Sequence, residues 1–413
     1  PMPDSSKQAP SAGLAQGHHE PSEAPQRLLH SWQQKLAERA EKGLGRQMRV
    51  FDSAESPRTA ARLNACSNDY LGLAHHPTVV AATLAAVQRY GTGATSARLI
   101  SGTTPEHLAL EQELAAWKGT EAALVFPTGY AANLGVLSAL VSPRDLILAD
   151  SLNHASLNDG CRLSGATVRR YRHADPIDLE RRLQEEPVES RGQRWIVSDG
   201  VFSMDGDVAP LRDLLALAQR FDAMLIIDDA HGTGVLGATG AGLVEAMWLK
   251  HDPRILHVGT LSKALASQGG FFAGPRAAVE WLLHAARPFI YTTGLAPASV
   301  AAARAALQIA AQDSPRRAHL AALARLLRHG LLELGFNLGP STTDVGLPHE
   351  IESQAYSTPI VPVWIGEAHA ALALATQLEQ AGILAMAIRP PTVPASMSEG
   401  DVAHVLETFA RLR

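Results

Sequence analysis

The chain has 413 residues, of which 46% are hydrophobic and 19% charged, and its formal net charge is −5. That length exceeds what one simple hydrophobic core usually covers, so two domains or one large α/β unit is expected. The slightly acidic balance argues against a nucleic-acid or anionic-membrane partner, and the two cysteines, Cys66 and Cys161, exclude a disulfide framework and fit no metal site.

The first 25 residues are rich in Pro, Ser, Ala, Gln and Gly and have no apolar period, which predicts a disordered extension. They lack a signal-peptide pattern, and no apolar run spans a bilayer, so a cytosolic protein without membrane contact is expected. Residues 26–65 are interpreted as an N-terminal arm, with apolar residues at helical spacing over Gln26–Lys42. This helix either packs on its own domain or is exchanged between subunits.

Short β-rich runs alternate with helical segments in residues 66–295. These runs are Leu124–Pro127, Leu146–Ala149, Trp195–Ser198, Met224–Ile227 and Ile255–Val258. The alternation predicts a large α/β domain whose mostly parallel sheet lies between helices, with ligands at the carboxyl ends of the strands. Residues 296–413 are expected to form a smaller α+β domain, with long helices over Ala296–Leu334 and strands at Ile360–Ile365 and Ile383–Ile388.

The segment Phe126–Asn133 turns from a strand through Gly129 directly into a helix over Gly129–Leu140. Because the first amides of a helix have no intrahelical acceptor, such a turn can bind an anion, for example a cofactor phosphate. Further along, His154 in Ser151–Ser156 could stack on a planar ring or carry a proton near neutral pH. A helix-capping role for His154 is the favoured alternative when that segment is taken alone.

The strand-like run Met224–Ile227 delivers Asp228, Asp229 and His231 to its carboxyl end. A buried carboxylate is costly unless it meets a cation, and a protonated pyridine nitrogen is a suitable partner for Asp228. Taken alone, this pattern is equally typical of a capped strand end or of a metal site.

About thirty residues later, Thr260–Lys263 follows another strand-like run and precedes the small residues from Ala264 to Gly270. A lysine with few charged neighbours has a lowered pKa and forms imines readily. A lone lysine is more often a surface residue. Together with the Asp228 segment, however, Lys263 predicts a pyridoxal-phosphate enzyme in which Lys263 forms the Schiff base and Asp228 holds the ring nitrogen.

These segments resemble the α-oxoamine synthases, a branch of the fold-type I pyridoxal-phosphate enzymes, from about Trp32 to Pro394. The matching segments are Ser67–Leu73, Gly91–Gly102 with His107 and Glu111, Asp199–Asp207, Asp228–Gly234 and Ala387–Pro394. The last of them is similar to the members that act in biotin synthesis. The resemblance implies a homodimer that condenses L-alanine, with loss of its carboxylate, with a pimeloyl thioester of coenzyme A or acyl-carrier protein.

The resemblance also assigns residues to the cofactor ring. It implies that Lys263 moves protons at the substrate α-carbon after releasing the cofactor, and that Asp228 pairs with the pyridinium nitrogen. His231 and Ser203 are expected to bind the ring oxygen, and His154 to stack on the ring. Of these residues, the resemblance implies a catalytic role for Lys263, His154, Asp228 and His231, and Ser203 is expected to bind the cofactor.

Other residues are assigned by the resemblance to the phosphate and to the substrates. Thr260 and the backbone of Gly129 and Tyr130 are expected to hold the phosphate, and Thr292 or Thr293 to reach the phosphate of the neighbouring subunit's cofactor. The residues implied in substrate binding are Asn68 at the amino-acid carboxylate, Thr392, and Arg46 or Arg49 near the thioester.

The resemblance breaks after Pro394, where the family continues with a glycine turn and a strand carrying an Arg-x-Arg pattern. In the family the second arginine clamps the amino-acid carboxylate, whereas this chain runs from Ala395 to Asp401 into a helix-like tail. Losing one charged donor costs roughly 1.5–3 kcal/mol. The sequence omits a segment here, or alanine binds weakly, or Arg389 substitutes; the first reading is favoured because every cofactor motif is intact.

Two alternative functions remain open from the sequence. One is a sister synthase that uses glycine or serine with another acyl thioester, since the motifs do not settle acyl length. The other is an inactive cofactor-binding subunit that stabilises a partner, against which the retained Lys263 argues. A simple aminotransferase is less favoured because that reaction needs no acyl-thioester pocket.

Overall fold

A computed structural model describes residues 24–42, 44–45, 48, 50, 58–59, 62–185, 192–339, 358–387 and 397–412. The chain divides into two compact units, residues 1–50 and residues 51–413. Of the predicted disordered extension, residues 1–23 lie outside the described residues, and Ala24 and Pro25 already belong to the first helix. That helix, α1 (Ala24–Glu41), confirms the predicted amphipathic segment. Its apolar side chains Leu28, Leu29, Trp32 and Leu36 are exposed.

Helices and strands alternate through the second unit. The further helices are α2 Pro77–Tyr90, α3 Pro105–Lys118, α4 Gly129–Leu140, α5 Ala155–Ser164, α6 Pro176–Glu185, α7 Leu211–Arg220, α8 Leu243–Ala246, α9 Arg276–Ala285, α10 Arg287–Ile290, α11 Pro297–Gln312, α12 Ser314–Glu333, α13 Ala368–Gln380 and α14 Glu399–Leu412. The strands are β1 Arg58–Thr59, β2 Arg62–Asn64, β3 Ala122–Phe126, β4 Leu146–Asp150, β5 Thr167–Tyr171, β6 Arg194–Asp199, β7 Ala223–Asp228, β8 Ile255–Thr260, β9 Gly270–Gly274 and β10 Ile383–Leu384. Within the described part of the chain, no helix combines the length and the apolar character that a membrane span requires.

The central sheet has seven strands in the order β3-β9-β8-β7-β6-β4-β5. The pairs β5/β4, β4/β6, β6/β7 and β7/β8 are parallel, whereas β9 runs antiparallel to both β3 and β8. Four of the five predicted strand-like runs fall within β4, β6, β7 and β8, and the fifth matches β3 except for Pro127, one residue beyond its end. The predicted mostly parallel α/β sheet is confirmed. Because these strands are parallel, the ends of β6, β7 and β8 lie at one edge of the sheet.

Successive residues of a strand point to opposite sides of the sheet. Because consecutive residues in the central strands are apolar, both faces of the sheet are apolar there. In β4, Leu146 and Leu148 belong to one core cluster, while Ile147 and Ala149 belong to a second one. The second cluster also contains Val136 and other residues of α4, α5, α9 and α10. Helices on both sides therefore hold the sheet in place, and its polar strand ends are left to build a site.

The C-terminal part contains the helices predicted over Ala296–Leu334, which the structure divides into α11 and α12. A three-stranded sheet joins β1, β2 and β10, in which β10 pairs parallel to β2. The predicted strand Ile360–Ile365 is wrong, because residues 361–366 have no regular secondary structure and Ile360 makes only a β-bridge. Pro362 has no N–H to donate to a sheet. The boundary between a large and a small domain at residue 296 stays a prediction.

Candidate active site

A cavity of about 200 Å³ opens at the carboxyl ends of β6, β7 and β8. It is lined by Thr128, Gly129, Tyr130, Asn133, His154, Ser156, Asp199, Ser203, Asp228, Ala230, His231, Thr260, Ser262 and Lys263. Pockets for drug-sized ligands usually have about 300–1,000 Å³, so this one suits a smaller molecule. Most of the lining residues carry a polar side chain, although the cavity lies against an apolar sheet.

Eight residues that the sequence singled out come together in this wall, although up to 134 positions separate them along the chain. They are Gly129, Tyr130, His154, Ser203, Asp228, His231, Thr260 and Lys263. Their proximity follows from the fold, because each stands at the end of a strand, in the loop just after it or at the start of the following helix. Their individual roles stay predictions.

Asp228 ends β7 and is 6% exposed. Its Oδ2 accepts a hydrogen bond of 2.6 Å from Asn133 Nδ2, and its Oδ1 accepts one of 3.0 Å from the amide of Ala230. Asn133 also donates to Ser156 Oγ at 2.9 Å. This network fixes the carboxylate at the inner end of the cavity, where it favours a ligand that carries positive charge.

His154 is the N-cap of α5, and its Nδ1 lies 2.7 Å from Ser156 Oγ. Its backbone amide donates to Asp199 Oδ2 at 2.6 Å. The predicted capping role is therefore confirmed, while the imidazole still lines the cavity. Burial lowers the pKa of His154, so its ring is held neutral near physiological pH.

Asp199 lies opposite Asp228 on the neighbouring strand. Burial, together with the charge of Asp228, raises the pKa of Asp199 well above its ordinary value. The charge of Lys263 opposes this rise, so the lysine acts on the same carboxylates. A cation bound in the cavity reduces the mutual repulsion of the two aspartates.

One corner of the cavity, formed by the start of α4 and by Thr260 and called the anion corner below, has a geometry that favours an anion. Thr128 caps α4 by accepting from the amide of Ala131 at 3.0 Å, and the amides of Gly129 and Tyr130 are the first of the helix. A Cβ on Gly270 would lie 2.5 Å from the Cα of Gly129. That glycine therefore lets the start of α4 approach β9. On the neighbouring strand β8, the Thr260 hydroxyl lies 2.7 Å from the hydroxyl of Ser262.

His231 is held from behind by a buried tyrosine. The hydroxyl of Tyr70 lies 2.6 Å from His231 Nδ1 and 3.3 Å from Asn68 Oδ1. Asn68, predicted to bind the amino-acid carboxylate, is not part of the cavity wall formed by the described residues, and it reaches His231 through Tyr70. The sequence did not single out Tyr70.

The turn that carries Ser203 is fixed by an ion pair. Val201 and Val208 form a β-bridge around it, and His173 lies with Nε2 2.8 Å from Asp207 Oδ2 and Nδ1 3.1 Å from Asp150 Oδ1. Burial alone would lower the pKa of His173, but the hydrogen bonds to these two carboxylates raise it to about 10. The protonated imidazole therefore holds the turn against the end of β4.

This ion pair predicts a pH-dependent contribution to stability. Because the pKa of His173 is higher in the folded chain than its ordinary 6.5, the contribution is complete below about pH 6.5 and is lost as pH rises through about 10. Replacing His173 by Gln should therefore cost at least about 1.4 kcal/mol more at pH 6 than at pH 10. Urea unfolding of both proteins at both pH values checks this, and a pH-independent difference would contradict it.

Other predicted residues lie elsewhere. Among the described residues, Thr292 and Thr293 are not part of the cavity wall; Thr293 makes a β-bridge with Ala97. Their predicted contact with a neighbouring subunit stays a prediction. Arg46, Arg49, Arg389 and Thr392 lie outside the described residues.

Sequence reasoning gave no role to several residues of the wall. Asn133 stands one helical turn after Gly129, so the period of α4 places both on one face. Asp199 directly follows the predicted strand Trp195–Ser198, just as Asp228 follows Met224–Ile227. This position after a strand is the sequence signal that could have identified Asp199. Tyr70, behind the wall, contacts His231 across 161 positions and left no local signal.

Three comparisons with known proteins are informative. Residues 61–409 match the family Aminotransferase class I and II. The 8-amino-7-oxononanoate synthase of Alkalilimnicola ehrlichii is 47% identical over 367 residues, which cover 87% of this chain and 88% of that protein. A structure of serine palmitoyltransferase (SPT) with a pyridoxal-phosphate (PLP) internal aldimine has a TM-score of 0.82 at 30% identity. The match covers 95% of this chain and 98% of that one. The crystal structure of 8-amino-7-oxononanoate synthase from Francisella tularensis has a TM-score of 0.71 at 26% identity, covering 86% and 98%.

Proposed function

The chain belongs to the Aminotransferase class I and II family and, within it, to the 8-amino-7-oxononanoate synthases, and from this premise we propose its substrates. It is a pyridoxal-phosphate-dependent acyltransferase of biotin synthesis. We propose that it condenses L-alanine with a pimeloyl thioester and releases carbon dioxide and the carrier thiol. The observation that carries this proposal is the 47% identity to a synthase of that name, combined with a cavity that holds every predicted cofactor residue except Thr292 and Thr293.

The donor set of the cavity fits pyridoxal phosphate. The anion corner supplies the amides of Gly129 and Tyr130 and the hydroxyl of Thr260 for the phosphate. The Asp228 carboxylate, held by Asn133, suits a protonated ring nitrogen. When bound, the cofactor supplies an electron sink for bonds at the amino-acid α-carbon.

The other residues have distinct tasks in this proposal. The amine of Lys263 attaches the cofactor and later moves a proton at the substrate α-carbon. His154, whose imidazole lines the cavity, covers one face of the ring, and His231 with Ser203 donates to the ring oxygen. The lowered pKa of His154 supports a stacking role, because a neutral imidazole does not repel a protonated ring.

The proposal includes a homodimer in which Thr292 or Thr293 contacts the phosphate of the neighbouring subunit's cofactor. It is supported by the position of both threonines outside the wall of their own cavity and by the exposed side chain of Tyr291 next to them. A sister synthase using glycine or serine is the second candidate, supported by the 30% identity to SPT. The lower identity makes it the less favoured one.

Release of thiol from pimeloyl-CoA by the cofactor-loaded protein tests the proposed substrates. We expect release that depends on L-alanine and falls at least about tenfold when glycine or serine replaces it. The acyl preference is tested in the same assay with acetyl-CoA and palmitoyl-CoA. Release with serine and palmitoyl-CoA alone would favour the sister reaction, and no release with any pair would contradict the proposal.

A further inference from the structure

We propose that Tyr70 is a positioning residue that couples Asn68 to His231 through its single hydroxyl proton. The proposal rests on the proposed function, in which Asn68 contacts the amino acid and His231 the cofactor. It adds a residue that touches neither ligand. Through Tyr70, the way Asn68 engages its ligand changes how His231 donates to the cofactor ring.

The geometry places Tyr70 between the two residues. Its hydroxyl lies 2.6 Å from His231 Nδ1 and 3.3 Å from Asn68 Oδ1. The rings of Tyr70 and His231 are 6.0 Å apart between centroids and tilted by 43°. His231 lines the cavity, whereas Tyr70 is fully buried behind it. The phenol therefore contacts a residue of the cavity wall through its hydrogen bond to the imidazole.

The turn that carries Tyr70 is fixed by its own residues. Asp69 accepts from the amides of Leu73 at 2.9 Å and Ala74 at 3.0 Å. Arg316 of α12 donates to the carbonyl of Leu71 at 2.8 Å, and Leu71 and Leu73 are buried in the core. Because this turn is held on both sides, the phenol cannot move away when one of its two partners changes.

A phenol has one proton and two possible acceptors here. When Tyr70 donates to His231 Nδ1, the imidazole carries its proton on Nε2 and can donate from there. When His231 carries a proton on Nδ1, it donates to the phenol oxygen, and the phenol proton turns to Asn68 Oδ1. The 3.3 Å to Asn68 Oδ1 is long for an O–H···O hydrogen bond, which favours the first arrangement. A stronger acceptor at position 68 favours the second.

Asn68→Asp tests the coupling without amino acid or thioester. A carboxylate at position 68 is the stronger acceptor, so we expect the visible absorbance band of the bound cofactor to change, although residue 68 does not touch it. In a Tyr70→Phe background the same substitution should leave the band unchanged. The proposal would be overturned if Asn68→Asp altered the absorbance band in the Tyr70→Phe background as well, or if it altered the band in neither background.

A binding cycle adds a second measurement on the holoenzyme. The absorbance change on adding L-alanine measures its binding. Asn68→Ala should weaken this binding by roughly 10–100-fold. In the Tyr70→Phe background the same substitution should weaken it by a factor that is at least about fivefold smaller. Equal factors in both backgrounds would indicate a merely structural Tyr70. Tyr90→Phe removes a buried hydroxyl for which the described residues offer no hydrogen-bond partner. This variant is the control and should leave the Asn68→Ala factor unchanged.

The two measurements separate this proposal from the proposed function. The cofactor spectrum reports the coupling even if the protein does not use alanine. Conversely, alanine-dependent thiol release can occur in a protein whose spectrum ignores residue 68. If Tyr70→Phe does not fold, Asn68→Asp in the otherwise unchanged protein still tests the coupling. An unchanged absorbance band in that variant overturns it.

Discussion

Replacing Lys263 by Ala should abolish turnover, with a loss of at least about four orders of magnitude in thiol release. Proton transfer by a positioned side chain alone contributes typically 10²–10⁴-fold, and in the proposed function this lysine also attaches the cofactor. The remaining wall, with Asp228, His154 and the anion corner, is unchanged, so part of the cofactor should stay bound without a covalent link. Thiol release and the visible spectrum after dialysis measure both effects.

Lys250→Ala is the matched control. Lys250 is also partly buried and forms an ion pair of 2.7 Å with Glu245, but it lies outside the cavity wall of the described residues. Its loss should change turnover less than about twofold. Borohydride reduction followed by peptide mapping should attach the cofactor to Lys263 in the unaltered protein. Attachment to another lysine, or turnover in the Lys263→Ala variant, would remove the assignment.

The parts of the fold that could be predicted are those encoded in short segments. A run such as Met224–Ile227 followed by two aspartates identifies both a strand and its functional end, because parallel strands collect their carboxyl ends at one edge. The glycine turn before α4 gave the anion corner in the same way. Eight of the ten residues predicted to bind the cofactor therefore lie together in the cavity wall, all but Thr292 and Thr293.

What could not be predicted depends on contacts distant in sequence. The hydroxyl of Tyr70 meets His231 across 161 positions, and no periodicity in either segment indicates that pairing. β9 joins the sheet antiparallel between β3 and β8, a register that the sequence of Gly270–Gly274 alone does not contain. The predicted strand at Ile360–Ile365 failed for a local reason, since Pro362 removes a backbone donor.

A second large effect is expected beneath the active site, at the buried ion pair of Lys118 and Asp229. Their side chains are each 1% exposed. Lys118 Nζ lies 3.2 Å from Asp229 Oδ2 and donates to Thr233 Oγ1 at 2.8 Å and to the carbonyl of Ala241 at 2.7 Å. Burial lowers the pKa of Lys118, and the negative charge of Asp229 acts in the opposite direction by favouring the protonated amine. The pair anchors the loop that follows Asp228 and carries His231.

Lys118→Met should therefore reduce the free energy of unfolding by about 3–5 kcal/mol, because it leaves the Asp229 carboxylate buried without its cation. Lys250→Met, which breaks a more exposed pair with Glu245, should cost only about 0–1 kcal/mol. The double change Lys118→Met with Asp229→Leu should recover most of the loss, since it removes the stranded charge. Urea unfolding of the cofactor-loaded proteins measures all three. If the double variant were no more stable than Lys118→Met, the loss would come from the packing of the lysine stem rather than from the unpaired carboxylate.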